Sequence, residues 1–470
     1  MDTLTTNSNY LDSGPSTTRE SLALVVVWCR EQPQRVGELL LLDPRAQPSA
    51  GWVFGRGDGG EGRISLQRQR CGRNLPTGPL DLPRVSSEQL RLRYRDKGAL
   101  EVHNIGRRTL LVGGAEVKRS RQIAEDDVVE IRGQLMFLVC RRPLELPARE
   151  LSRALEPSFG QPDEFGMLGE SPPAWSLRGE IEFAAQRDAH VLVQGPSGVG
   201  KELVAQAIHA LSPRARRALV SRNAATLPET LIDAELFGNL RDYPNPGMPE
   251  RVGLIGAADG GTLMLDEIGE LSHELQAHML RVLDSGEYQR LGEAKTRRAD
   301  LRLIAATNRP RAELKHDLAA RLRLQISVPS LAKRREDIGL LIPYLIRQMA
   351  GEDPLLAQRF FEGGDPKGHP RIDPALVREL LGRPLNTNVR ELEGALWTAM
   401  MHSVVEGHAQ VRFAPSAAVA VEVDPKSLTR EQIQTALAHA DGVQDRAWRL
   451  LGLRNRYQLI RLLKKHELST

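Results

Sequence analysis

At 470 residues with 41% hydrophobic residues, the chain is long enough for about three domains with ordinary buried cores. With 64 Lys and Arg against 60 Asp and Glu the net charge is only +4, so any contact with nucleic acid has to come from a local patch. No apolar run is long enough to span a bilayer. The stretch Leu22–Trp28 is too short for a secretory signal and has no basic region before it, and three cysteines without metal-ligand spacing fit a reduced, cytoplasmic protein.

Residues 1–20, rich in Ser, Thr, Asn and Asp, read as a disordered tail. Residues 21–142 carry short apolar or alternating runs at Leu24–Trp28, Glu38–Leu42, Leu90–Tyr94, Leu100–His103, Thr109–Val112, Val128–Ile131 and Met136–Val139. Gly, Pro and Asp punctuate them, which predicts an all-β sandwich. Residues 143–165, with Pro and Glu, read as a linker. Residues 166–405 alternate strand and helix patterns, as a parallel α/β sheet requires. Residues 406–425 read as a second linker, and 426–470 as an all-α, basic segment.

Within 166–405 one run stands out. Val191, Leu192 and Val193 form an apolar strand, followed by Gly195, Pro196, Ser197, Gly198, Val199, Gly200, Lys201 and Glu202 and then a helical pattern. In that context a glycine-rich turn becomes a phosphate cradle. Its backbone N–H groups converge on an anion, the helix adds the positive end of its dipole, and Lys201 reaches the outer phosphates. A chance glycine-rich turn would explain this run alone, and Glu202 stands where Ser or Thr is usual. A second signature argues against chance: the strand Gly260–Leu265 ends in Asp266 and Glu267, placed to hold Mg²⁺ and to orient an attacking water. Together they predict binding of a nucleoside triphosphate.

The C-terminal segment has three short helical patterns: 430–440, 443–451 and one after Gly452. Two helices around a Gly turn, the last one basic, predict a helix-turn-helix. Segment 426–470 holds 9 Lys and Arg against 4 Asp and Glu. A solvated helical hairpin would share the periodicity, but the coincidence of turn and charge favours DNA binding. Arg454, Asn455, Arg456, Tyr457 and Arg461 are the expected DNA contacts.

The middle region resembles the AAA+ domain of sigma-54-dependent transcription activators. The resemblance rests on Leu168–Ser171, the Gly-Lys-Glu ending of the loop, Ala234–Gly238, Gly260–Leu271, Ile304–Arg309, Lys333–Ile338 and Asn388–Leu392, and the tail is similar to the Fis-type helix-turn-helix of the same family. It implies an α/β P-loop domain with a helical lid, ATP and Mg²⁺ as cofactors, and a homo-oligomer, a hexameric ring, acting on promoter-upstream DNA and RNA polymerase holoenzyme. It also implies residue roles. Lys201 neutralises the β/γ-phosphates, Asp266 holds Mg²⁺ and Glu267 polarises the lytic water. Asn308 senses the γ-phosphate, and Asn223 switches the glutamate. Arg390 is the second sensor, and Arg321 enters a neighbour's site. The other finger position holds Lys315, which lacks the planar fork suited to phosphate. The family's GAFTGA loop, which grips sigma-54, is replaced by Asp242–Gly247, whose two prolines stiffen it.

The N-terminal sandwich resembles a forkhead-associated (FHA) domain, a phosphothreonine reader, through Gly55-Arg56, Val85–Gln89 and Asn104–Gly106. This resemblance implies phosphate contacts from Arg56, Ser86 and Ser87, with Gln89 in place of a structural His; the alternative is a sandwich used only for oligomer contacts. Two functions follow: a DNA-binding ATPase of the sigma-54 activator type that senses a phosphothreonine protein, or a sigma-54-independent regulator or repressor. A metabolic P-loop kinase leaves the basic tail unexplained.

Overall fold

The computed structural model describes residues 19–413, apart from 58, 96–98, 229–230 and 352, together with a few scattered positions beyond 427. Residues 1–412 form one compact unit and 413–470 another. The expected tail (residues 1–18) and almost all of the expected helix-turn-helix, including Arg454, Asn455, Arg456, Tyr457 and Arg461, lie outside the described residues.

The N-terminal part is antiparallel throughout its ladders. Its strands are β1 (Glu20–Cys29), β2 (Leu39–Leu41), β3 (Trp52–Phe54), β4 (Gln67–Arg70), β5 (Arg73–Pro76), β6 (Leu90–Tyr94), β7 (Leu100–Asn104), β8 (Leu110–Val112), β9 (Ala115–Val117), β10 (Ser120–Ile123), β11 (Val128–Ile131) and β12 (Leu135–Pro143). One sheet runs β5-β4-β2-β1-β12-β11-β8-β9 and the other β10-β7-β6-β3. The two inner faces meet through pairs such as Phe54 and Phe137, whose rings stand edge to face at 5.5 Å. All seven runs expected from sequence are strands; β3, β4, β5, β9 and β10 were not expected, being short or polar.

The second half is a doubly covered parallel sheet. Its elements are α1 (Pro172–Ala185), β13 (Val191–Gln194), α2 (Lys201–Ala210), β14 (Leu219–Asn223), α3 (Ile232–Phe237), α4 (Leu254–Ala257), β15 (Thr262–Asp266), α5 (His273–Ser285), β16 (Glu287–Tyr288), β17 (Arg297–Arg298), β18 (Arg302–Thr307), α6 (His316–Arg321) and β19 (Leu324–Ser327). The strand order is β14-β15-β18-β13-β19, all parallel. Strands buried on both faces need continuous apolar runs, and Val191, Leu192 and Val193 are each fully buried. Start signals read as written: Ser171 caps α1 before two prolines, and Ser272 caps α5, which stops at Gly286 in the left-handed region. Buried Arg302 donates to the carbonyls of Ala184, Ala185 and Ala189, satisfying the end of α1. A helical lid follows: α7 (Ile338–Ala350), α8 (Pro354–Phe360), α9 (Pro374–Gly382) and α10 (Val389–Val405).

The segment expected to be a linker at 143–165 is packed instead. Leu155 is fully buried in the core beside α1, and Asp163 pairs with Arg178 at 3.1 Å. The start of the second expected linker also packs: Val411 is fully buried and bridges to Ile372. The sandwich is seated on the lid. Trp28 Nε1 donates to Ile372 O at 3.2 Å, Asp126 pairs with Arg335, Glu130 with Arg378 at 3.3 Å, and Arg142 faces Glu336 at 3.6 Å.

Glu336 is almost fully buried, and burial lifts its carboxyl to about 7 in spite of Arg142. The folded state then holds a proton that the unfolded chain has released, so stability falls as pH rises from the ordinary 4.5 to about 7. Glu336→Gln, a neutral mimic, is expected to gain on the parent chain across that window by at most about 1.4 kcal/mol per pH unit, then level off. Denaturant titrations of both chains from about pH 4 to about pH 8 measure the difference; a flat one refutes the assignment.

Candidate functional site

The turn after β13 is shaped for an anion. Gly198 and Gly200 sit at φ of 73° and 99°, and Gly200 is the N-cap of α2. Left-handed backbone there turns successive N–H groups toward one point at the helix start. Lys201 is 7% exposed and its Nζ donates to the carbonyls of Gly195 and Pro196 at 3.1 and 3.4 Å, with Glu267 Oε1 at 3.6 Å. An incoming phosphate would exchange these weak carbonyl bonds for charge-assisted ones.

Parallel pairing puts the acids beside this loop. Asn223 is in register with Asp266 across β14 and β15. Asp266 Oδ1 accepts the Glu267 N–H at 2.9 Å, while Glu267 stands at φ 52°, an uncommon conformation for a non-glycine residue. Its Oε2 accepts the Asn308 N–H at 3.2 Å, so the end of β18 orients the carboxylate. Among the described residues no hydrogen bond joins Asn223 to Glu267; Asn223 Oδ1 caps its own turn by accepting from Ala225 N at 2.9 Å.

The lid closes the other side. Arg390 Nη1 donates to Ser197 Oγ at 2.9 Å, and Val389 N donates to Gly198 O at 3.1 Å. Together these groups line a cleft of about 540 Å³ that includes Ser197 to Leu203, Asn223, Asp266, Glu267 and Arg390. Its volume is within the usual range for small-molecule sites. Beside the phosphate cradle, Asp266 is the residue that would hold Mg²⁺. Among the described residues no cluster of three or more His, Cys, Asp or Glu forms a metal cage of its own.

Arg321 stands apart from this cleft. At the end of α6, it is exposed to solvent on one side and held by a bidentate pair with Asp284, its Nη2 at 3.1 Å from Oδ2. Lys315 caps the start of the same helix and also does not line the cleft.

Three contributors escaped the sequence reading. Arg334, 7% exposed, lines the cleft, donates to Val199 O at 3.4 Å and has a buried Nε without a hydrogen-bond partner; desolvation lowers its pKa. Asn388, 2% exposed, accepts from Leu331 N at 2.7 Å and donates to Ser197 O at 2.9 Å. Tyr344 of α7 lines the cleft as well. Arg334 and Asn388 lie inside motifs already singled out, at 333–338 and 388–392, and that placement was the available signal.

In the sandwich, Arg56 and Ser87 are exposed, and Ser86 Oγ accepts the Arg107 N–H at 3.0 Å. Gln89 is fully buried and donates to Asn104 Oδ1 at 2.8 Å and Arg108 O at 3.0 Å, tying the loops at this end of the sandwich.

A methyl group on Gly198 would meet Thr387 O at 2.2 Å, in a conformation that side chains rarely adopt. Gly198→Ala is expected to lose more than the roughly 1–3 kcal/mol of backbone strain, because the lid must also retreat. Gly247→Ala is the control: it carries φ +88° with nothing within 4 Å. Urea denaturation compares them; equal losses contradict the contact.

Residues 167–328 match the family described as sigma-54 interaction domain. The chain is 37% identical over 315 residues to the transcriptional regulatory protein ZraR of Salmonella typhimurium, covering 64% of this chain and 68% of that one. It is 36% identical over 358 residues to the Nif-specific regulatory protein of Klebsiella pneumoniae, covering 70% and 64%. A solved structure of NtrX from Brucella abortus in complex with ATP aligns with a TM-score of 0.46 at 29% identity, over 64% of this chain and 69% of that one. By the match over residues 167–328 and the likeness to ZraR, the chain belongs to the sigma-54 interaction domain family of transcriptional regulators.

Proposed function

We propose that this protein is a DNA-binding ATPase that regulates transcription, working as a homo-oligomeric ring in which each subunit completes its neighbour's site. The observation that carries this reading is the division of the machinery. Lys201, Asp266, Glu267 and Arg390 line one cleft, while Arg321 lies outside it on α6. In this reading ATP lies on the loop Gly195–Glu202. Asp266 would hold Mg²⁺, which would supply counter-charge to the phosphates. Lys201 shifts from its carbonyl partners to the β/γ-phosphates. Glu267, oriented by the Asn308 N–H, aligns and polarises the attacking water. Asn308 and Arg390 report the γ-phosphate to β18 and the lid, and Asn223 resets the glutamate. Arg321 leaves Asp284 to stabilise transition-state charge next door. DNA contact falls to the basic segment 426–470.

The sandwich would read a phosphothreonine protein. Exposed Arg56, with Arg84 and Arg107 also exposed, and the free hydroxyl hydrogen of Ser86 suit a phosphate.

One observation favours a second reading, in which the motor regulates transcription without remodelling sigma-54. The Asp242–Gly247 loop is pinned. Asp242 Oδ1 accepts Gly247 N at 2.8 Å, buried Asn239 donates to the carbonyls of Leu240, Tyr243 and Pro249, and the Tyr243 ring packs over Gly292.

Lys201→Ala is expected to abolish ATP turnover and nucleotide binding together. Arg321→Ala keeps binding and loses about 10³-fold in turnover. Mixing Lys201→Ala with Arg321→Ala subunits restores part of the activity if the finger acts in trans; no recovery refutes that step. Transcription in vitro with sigma-54 and sigma-70 holoenzymes, with hydrolysable or non-hydrolysable ATP, separates the two readings: ATP-dependent output from sigma-54 alone supports the first.

A further inference from the structure

A second cavity, of about 850 Å³, opens where the sandwich meets α7 and the chain between α8 and α9. Its walls come from both modules: Trp28 and Arg30 at the end of β1, Phe159 from the packed connection, and Leu340, Pro343 and Tyr344 on α7. It lies at a domain junction and has the volume of an ordinary small-molecule site.

Its charges are unbalanced. Arg30, Arg347 and Arg371 line it, and among the described residues none of the three forms a salt bridge with a carboxylate. Arg347 is half-buried and spends its donors on the carbonyls of Pro366 and Gly368 at 2.9 and 3.2 Å. Burial alone lowers its pKa, with no acid opposing. Arg371 has a buried Nε with no hydrogen-bond partner and donates through Nη2 to Phe361 O. Arg68, at the same wall, lies 4.6 Å over the Phe159 ring and shares Glu38, 3.1 Å away, with Arg35. The lining acids, Glu31 and Glu362, are exposed at the rim. Desolvated guanidinium groups without counter-charges are costly unless an anion joins them. The aromatic and aliphatic walls reward an apolar body.

We propose that this cavity is a binding site for a small organic anion with an aromatic body, its acid group held by Arg347 and Arg371 and its rings packed against Trp28 and Phe159. The site is separate from the nucleotide cleft and does not depend on the reading given to that cleft.

The probe is 8-anilinonaphthalene-1-sulfonate, titrated by fluorescence into the full-length folded protein. One saturable equivalent per chain is expected, unaffected by saturating ATP and equally present in Lys201→Ala. Arg371→Met and Arg347→Met should each weaken binding about tenfold. Exposed Arg30→Ala serves as a further variant that leaves the packing alone, with a loss of about threefold. The uncharged 1-anilinonaphthalene should bind at least tenfold more weakly, and inorganic sulfate should compete only weakly. Displacement by ATP, no saturation, equal binding of the uncharged analogue, or unchanged affinity in Arg347→Met and Arg371→Met would each overturn the proposal.

Discussion

The site depends on one buried amide. Asn388 holds the loop after β19 through Leu331 N and the phosphate-loop carbonyl of Ser197, and it does so from a backbone at φ 55° and ψ −127°. Few non-glycine residues adopt that conformation, and here the side chain that anchors it supplies both an acceptor and a donor. The next residue donates to Gly198 O, and Arg390 reaches Ser197 Oγ one position further on. The lid therefore grips the loop through main-chain groups that only a glycine at 198 leaves accessible. The anion cradle, the closure of the cleft and the placement of Arg390 all follow from this joint.

A second constraint is electrostatic. The seam between the sandwich and the α/β domain contains charges with almost no access to water: Arg142, Glu336, Glu170, Arg178, Asp163 and Asp337. They are tolerated because nearly every one is paired or hydrogen-bonded. Asp337 accepts from Glu170 N, Ser171 N and Ser171 Oγ, and Arg178 donates to Asp163 and to the carbonyls of Gly169 and Met167. Such a seam adds little net stability but punishes misalignment. The buried thiols Cys29 and Cys140, raised to about 11 and about 12 by desolvation, add no reactive chemistry to it.

Much of this was legible in the chain itself. The alternation of strand and helix after residue 166, the glycine loop and the Asp-Glu pair are local patterns, and the parallel sheet brings them together because β15 and β18 lie between β14 and β13. The seven clearest apolar runs are strands for the same reason: each buries an inner face. The polar strands β4 and β5 were hidden, since Gln67–Arg70 and Arg73–Pro76 pair at a sheet edge that carries no hydrophobic signature. The stretch 143–165 misled because its composition is that of a spacer, while its role is set by distant partners such as Arg178 and Arg70. Arg334 and Asn388 were legible only as members of their motifs, because tertiary contact alone turns them toward the loop.

Helix α7 has two working sides. Leu341, Tyr344 and Leu345 face the phosphate cleft; Gly339, Leu340, Pro343, Tyr344 and Arg347 face the arginine-lined cavity. A methyl on Gly339 would stand 2.6 Å from Val27 O, so the helix rides directly on the backbone of β1. Held this closely, the helix acts as a fixed partition, and a guest on one side leaves the room on the other as it was.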